Sequence, residues 1–259
     1  MRKKLIVGNW KMYHNTHKAS LLLHAMMEKI EKHRDVEVVF CPNMLSLQSL
    51  SLQVDHRRFK LGAQNCYWRD EGAFTGEVSA SMLNGVADYV LVGHSERRHV
   101  FHEVERDIRQ KVQAVLRNKM KPILCVGETA TERADSETIE VIRDQLVSGL
   151  ANVTSQEIGD VAVAYEPVWA IGTGNFPTPK DLSVVEKAIR RQVSALYGKK
   201  AAEELRVLYG GSVTAENAPS FLKLDGVDGF LVGGASLKVE VFATIVEQAF
   251  QVIKPVKKN

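Results

Sequence analysis

Eight short apolar runs, separated by segments of helical spacing, constrain this chain more than any other feature. They are Leu5-Ile6-Val7, Val36 to Phe40, Phe59 to Ala63, Tyr89 to Val92, Pro122 to Val126, Val161 to Ala164, Arg206 to Leu208 and Gly229 to Val232. Their apolar character is nearly continuous instead of alternating, which suits strands buried on both faces of a parallel sheet. Parallel neighbours need right-handed helical crossovers. The intervening segments supply them, with apolar stripes at Leu21, Leu22, Ala25, Met26 and Ile30, at Val104, Ile108, Val112, Val115 and Leu116, and at Leu182, Val185, Ala188, Ile189 and Val193. Start signals agree: Thr178-Pro179-Lys180-Asp181 offers a cap, a proline in the first turn and an acid three residues on, and Thr214-Ala215-Glu216 predicts a second helix start in similar style.

Eight strand-helix units without a linker or composition break predict an α/β chain folded as one (β/α)8 barrel domain over residues 1–259, eight parallel strands ringed by helices. An open doubly wound sheet is the alternative. It calls for a glycine-rich nucleotide fingerprint after an early strand, and Gly8-Asn9-Trp10-Lys11 is not one. With 45% hydrophobic residues the chain can build the core that such a barrel needs.

The net charge of +3 is small and the basic residues are scattered. Arg2-Lys3-Lys4 and Lys257-Lys258 read as solvated termini, and no nucleic-acid footprint is expected. Cys41, Cys66 and Cys125 are widely spaced and form no C-x-x-C pattern, which points to a reducing compartment. The N-terminal apolar run is too short for a signal peptide, and no run approaches the length of a membrane span. A cytoplasmic location follows as the expectation.

A closed parallel barrel carries its chemistry at the carboxyl ends of its strands. Asn9 and Lys11 follow the first run, His94, Ser95 and Glu96 the fourth, and Glu166 the sixth; Gly210-Gly211-Ser212 and Gly233-Gly234 follow the last two. Pro167 disfavours helical backbone at Glu166, so that carboxylate sits on extended chain at a strand tip. Trp169, Ile171, Gly172 and Gly174 make the segment behind it an apolar, glycine-tipped flap. The glycine amides with Ser212 suit a phosphate held by backbone N–H groups. Lys11 brings a full positive charge and Asn9 a neutral hydrogen-bonding group. His94 stands before a helix start, where the dipole discourages imidazolium. His94, His99 and His102 lie close in sequence, but no strand end adds the further ligands that a metal site would want.

The motifs Gly8-Asn9-Trp10-Lys11-Met12, Val92-Gly93-His94-Ser95-Glu96-Arg97-Arg98 and Tyr165-Glu166-Pro167-Val168-Trp169-Ala170-Ile171-Gly172-Thr173-Gly174 resemble the triosephosphate isomerase family. Tyr209-Gly210-Gly211-Ser212-Val213 and Leu231-Val232-Gly233-Gly234-Ala235-Ser236-Leu237 do so as well, in the same order. The resemblance implies interconversion of dihydroxyacetone phosphate and D-glyceraldehyde 3-phosphate, a step of glycolysis and gluconeogenesis, through an enediol or enediolate. It implies Glu166 as the proton carrier, His94 as the electrophile, Lys11 with Asn9 as stabilisers of negative charge, and Gly172, Ser212, Gly233 and Gly234 as phosphate holders. Glu96 matches a family position near Lys11. No metal and no organic cofactor are implied. The chain departs from the family at Gly174-Asn175-Phe176-Pro177-Thr178, where Pro177 restricts the far end of the flap. Other readings are a different phosphate-binding barrel enzyme, such as a sugar-phosphate epimerase, or a non-catalytic ligand-binding barrel.

Residues 65–78, with Tyr67, Trp68 and Phe74, form a longer connection than a strand-to-helix turn needs. Contact with a partner is one use of such a loop. The family resemblance implies a homodimer in which Ala73-Phe74-Thr75-Gly76-Glu77 reaches the neighbour's Lys11 region.

Overall fold

The strands β1 (Lys4–Asn9), β2 (Val36–Cys41), β3 (Phe59–Ala63), β4 (Tyr89–Val92), β5 (Lys121–Val126), β6 (Ala162–Tyr165), β7 (Arg206–Tyr209) and β8 (Gly229–Val232) pair in sequence order as one closed parallel barrel ringed by helices. This is the (β/α)8 architecture that the run-and-stripe pattern predicts. The computed structural model describes residues 2–253, so Lys257-Lys258 lies outside the described residues.

Closure runs through β1 and β8. Leu5 aligns with Gly229 and Val7 with Leu231, and the Leu5 N–H donates to the Asp228 carbonyl at 2.8 Å. Gly229 has φ 148°, and a Cβ there would stand 2.0 Å from the Leu5 carbonyl oxygen. Only glycine lets the last strand approach the first this closely.

The lack of alternation in the apolar runs has a direct cause. Leu5, Val7, Val39, Leu91, Ile123 and Leu208 pack together inside the barrel. Their neighbours Ile6, Val38, Val90, Leu124, Val163 and Val207 join the layer between sheet and helices. Both faces are dry, and each such side chain contributes about 1.5–3 kcal/mol relative to exposure.

The helices largely follow their stripes, with informative exceptions. Thr178 caps the helix Pro179–Tyr197 by accepting the Asp181 N–H, while Asp181 accepts the Thr178 N–H, a reciprocal box. In the helix Thr16–Lys29 the buried residues are Ala19, Leu23 and Met26, whereas Leu21 is exposed. The run Leu21-Leu22-Leu23 has an apolar residue in every direction, so packing, not periodicity, selects the inner face. Val104 precedes the helix Glu105–Arg117 as an exposed cap; Ile108, Val112 and Val115 are its buried stripe. Thr214 does not open a helix. It accepts the Asn217 N–H while Asn217 accepts the Thr214 N–H, and this pair builds a turn before the helix Ala218–Leu222.

Arg2 and Lys4 are also not solvated. Lys4 Nζ donates to the Val227 carbonyl at 2.5 Å, and burial holds its pKa below the usual lysine range. Arg2 Nε donates to buried Asp228 at 2.7 Å, which also accepts from Arg190 at 3.0 Å and from the Val207 N–H at 2.9 Å. Asp228 thus ties the N-terminus, the helix Pro179–Tyr197 and β7 together at the amino-terminal mouth. Asp228→Ala leaves two cations and an amide without their acceptor, and we expect a loss of about 3 kcal/mol in urea unfolding. An unchanged unfolding midpoint would show that these partners find water at no cost.

Candidate active site

Glu166 emerges from β6 onto Pro167 and is almost fully buried. Its backbone N–H donates to the Val126 carbonyl at 2.7 Å, so β5 sets the depth at which the carboxylate stands. Gly127 makes this possible: a Cβ there would lie 1.7 Å from the Glu166 carbonyl oxygen. Gly210, on the other side, clears the Glu166 side chain, since a Cβ would meet Cγ at 2.9 Å.

Two groups hold the carboxylate. The Ser95 N–H donates to Oε2 at 2.9 Å, and His94 Nε2 stands 3.1 Å from Oε1. His94 precedes the helix Ser95–His99 and caps it, with Nδ1 accepting the Glu96 N–H at 3.2 Å. An Nδ1 that accepts leaves the proton of a neutral ring on Nε2, facing Glu166. Nε2 is also 3.3 Å from the Asn9 Nδ2.

Asn9 and Lys11 form a tight corner after β1. Trp10 is fully buried between them, and the Lys11 N–H donates to Asn9 Oδ1 at 3.0 Å. Lys11 has φ 48°, an unfavourable conformation for a side-chain-bearing residue that costs on the order of 1–2 kcal/mol. Gln64 holds it there, its Nε2 donating to the carbonyls of both Lys11 and Cys41 at 2.9 Å. Lys11 Nζ reaches Glu96 Oε1 at 2.5 Å.

Asn9, Lys11, His94, Glu166 and Gly233 therefore surround one space, closed by Ile171, Gly210, Gly211 and Leu231. At about 30 Å³ it holds little more than a water molecule. Ile171 is the flap residue that borders it. Glu96 does not line this space itself but touches two residues that do, Lys11 through Oε1 and His94 through its N–H at 3.2 Å and Oε2 at 3.8 Å. Gly172, Ser212 and Gly234 stand beside it in the chain, next to lining residues, and do not line it themselves. Gly172 and Gly174 have φ 72° and 78°, so the flap tip uses left-handed backbone that glycine accepts.

Strand-end reasoning missed two residues. Gln64 follows β3 and braces Lys11. Glu128 follows β5 and is fully buried; it accepts from Tyr165 Oη at 3.1 Å, from Trp169 Nε1 at 2.9 Å and from Arg133 at 3.4 Å. The Arg133 guanidinium also lies 4.3 Å from the centre of the Trp169 ring. Glu128 thereby anchors the first half of the flap. The rule that singled out Glu166, an acid just past an apolar run, applies equally to Gly127-Glu128. Among the described residues no group of three or more His, Cys, Asp or Glu side chains is arranged to hold a metal ion, and His94, His99 and His102 form no such cluster.

A family model described as Triosephosphate isomerase matches residues 4–249. The chain belongs to the triosephosphate isomerase family. It is 42% identical over 247 residues to the protein of that name from Alkaliphilus metalliredigens, covering 95% of this chain and 99% of that one. The namesake from Caldanaerobacter subterraneus is likewise 42% identical with the same coverage of both chains. That from Carboxydothermus hydrogenoformans is 43% identical over 248 residues, again covering 95% of this chain and 99% of its own.

Electrostatics at the carboxylate can be signed. Burial is the largest influence on Glu166 and pushes its pKa up, but His94, the Ser95 N–H and Lys11 together outweigh it and hold the group below the ordinary 4.5. A lowered carboxyl pKa gives stability that is present above the ordinary value and is lost as pH falls through the folded value. In carbon NMR of the labelled carboxyl, we expect Glu166 to titrate below pH 4.5. A midpoint above that value would mean that burial dominates. At Gly127, alanine should drive the Glu166 backbone out of place, and a displacement near 1 Å costs about a hundredfold in turnover. Turnover equal to wild type in Gly127→Ala would show that the β5 contact does not position the carboxylate.

Proposed function

We infer that the chain is an enzyme, an aldose-ketose isomerase that interconverts dihydroxyacetone phosphate and D-glyceraldehyde 3-phosphate. Family membership over nearly the whole chain supports the reaction. The observation that carries the residue assignment is the single enclosed space bounded by Glu166, His94, Asn9 and Lys11.

In our reading Glu166 takes a proton from the substrate carbon beside the carbonyl, giving an enediolate, and returns it to the neighbouring carbon. In the first transfer the C–H electron pair becomes the new C=C bond and the carbonyl π pair moves to oxygen. His94 presents Nε2–H to that oxygen, passes it this proton and takes the hydroxyl proton from the neighbouring oxygen. The electron pair left on that neighbour then forms the new C=O as the C=C pair takes the proton back from Glu166. Burial works against a charged imidazole, while the Glu166 carboxylate against Nε2 raises the His94 pKa above the ordinary 6.5. When that carboxylate turns to a substrate carbon, its support for the charge goes with it. Burial and the Glu96 N–H at Nδ1 then favour the neutral ring, a hydrogen-bond donor suited to an incipient enolate. Lys11, on its strained corner, brings positive charge to the same oxygens, with Asn9 beside it and Glu96 steering the ammonium.

We assign the phosphate to the backbone amides of Gly172, Gly233 and Gly234 with Ser212. The backbone at Gly233 is open, with Lys11 Cε the nearest atom to a would-be Cβ at 3.5 Å. The flap would cover the enediolate and so protect it from loss of phosphate to water. At its far end Phe176 sets its edge against Phe221, with ring centres 6.4 Å apart, and Phe221 packs on Tyr209. That contact marks where lid kinetics should depart from those of relatives with a different hinge.

The reading extends to a homodimer. The 65–78 loop is braced by Tyr67, stacked on Trp68 and tilted against Phe74, and the Tyr67 N–H donates to the Val78 carbonyl at 2.8 Å. A cavity of about 360 Å³ beside Lys11, lined by Met12, Gln64, Glu77, Glu96 and Phe101 among others, offers such a loop a seat. Met12 is 94% exposed on its rim, which favours a covering partner. We also take the chain as one domain over residues 1–259. Cytoplasmic residence fits three free buried cysteines, with the Cys66 thiol pushed by burial up to about 12 and thus kept unreactive. No helix among the described residues is long and apolar enough to cross a membrane.

The deciding measurement is a coupled assay for glyceraldehyde 3-phosphate formed from dihydroxyacetone phosphate. Wild type should turn over without added metal, and Glu166→Gln should lose about 10³-fold or more in kcat, since an amide is no base. Full activity in the variant would remove Glu166 from its role, and no wild-type turnover would remove the function. In sedimentation, a fully active monomer at assay concentrations would overturn the dimer.

A further inference from the structure

The basic residues that look scattered in sequence gather in space at the amino-terminal mouth, the end of the barrel away from the site. A concave basin of about 550 Å³ opens there, lined by nine Lys or Arg side chains, two histidines and only two carboxylates. Its formal charge of +7 exceeds the +3 of the whole chain, so the rest of the molecule is net negative. The fold uses part of this charge internally. Arg206 is bonded to Glu37 at 2.7 Å and to Tyr89 Oη at 2.8 Å, and Arg2 to Asp228. Lys3, Lys32, Arg34 and Arg57 are different: each is exposed, and none has a carboxylate within salt-bridge distance among the described residues. Two of them come from the turn before β2, one from the turn before β3 and one from the lead into β1. The closed sheet brings these three connections side by side.

We propose that this basin binds a small, multiply charged phosphate anion of the polyphosphate class. Four unpaired cations converging on a concavity repel one another, and a polyanion removes that repulsion while bridging them. The volume lies in the range of small-molecule sites. The lining has Val36 as its sole large apolar side chain, and His33 is already stacked on Phe250 with ring centres 3.8 Å apart. His56 is tied to the Ser51 carbonyl at 2.8 Å and the lining gives an acyl chain no apolar bed, so the phosphate groups themselves are the recognised feature. The charge is gathered in a bowl, not drawn out along a stripe as an extended nucleic acid would require.

The test is calorimetric titration of the full chain with inorganic tripolyphosphate at about 50 mM salt. Dihydroxyacetone phosphate is kept saturating so that the catalytic mouth is occupied. Binding should be tighter than about 1 mM and should weaken as salt rises. The triple variant Lys32→Ala, Arg34→Ala, Arg57→Ala should bind at least about tenfold more weakly, with kcat/KM for the isomerisation unchanged. Lys11→Met should bind tripolyphosphate as wild type does. Arg34→Ala alone should weaken binding without lowering Tm, which covers the case of a triple variant that folds poorly. Four results would each overturn the proposal. They are no binding at low salt, binding lost in Lys11→Met, an equal loss in Lys199→Ala with Lys200→Ala, or tighter binding of a single-stranded oligonucleotide or anionic vesicles than of tripolyphosphate.

Discussion

A parallel sheet has two open edges unless its first and last strands meet, and here they meet at Gly229 against Leu5. With φ 148° and no side chain, Gly229 lets the β8 backbone come to hydrogen-bonding distance of β1. Once the ring is closed, all eight strands point one way, and every loop that follows a strand faces the same mouth. Asn9 and Glu166 are 157 positions apart in the chain, yet they border one cavity because of that closure.

The two mouths have divided their work. At the amino-terminal end, charge is spent on holding strands and helices in place, through Asp228 with Arg2 and Arg190, and through Glu37 with Arg206 and Tyr89. At the carboxyl-terminal end, buried polar groups are held in tension. Glu166 is buried but kept ionised by His94, Ser95 and Lys11, and Lys11 sits on backbone that its side chain makes unfavourable. Such a site stores strain that the surrounding barrel over-determines, with Gln64, Trp10 and Gly127 as the constraining parts.

The flap belongs to both kinds of region. Its first half is fastened to the barrel by Glu128 through Trp169 and Tyr165, while its tip runs through two left-handed glycines. The same segment thus combines a fixed base with a hinge-like tip. This suits a cover that must open a space of about 30 Å³ to something larger and then close on it.

The sequence alone determined the strands, the order of the barrel and most of the polar residues at its active mouth. Double-sided burial leaves continuous apolar runs, and a strand end leaves polar residues at a predictable place. Those signals are local, and they served for Glu166, His94 and Lys11. The resemblance to a known family then supplied the roles proposed for them. What the tertiary structure decided depends on which distant pieces meet. The inner face of Thr16–Lys29, read as Leu21, Leu22, Ala25, Met26 and Ile30, keeps Met26 and Ile30 but takes Leu23 in place of Leu21, because three consecutive leucines satisfy any packing direction. Thr214 carried a cap signal, but its partner Asn217 turned the same hydrogen bonds into a turn. Arg2 and Lys4 looked like a solvated terminus until Asp228 and the Val227 carbonyl came within reach of them. The basic basin is the clearest case: no stretch of sequence holds it, since its charges are neighbours only where the closed sheet brings three connections together.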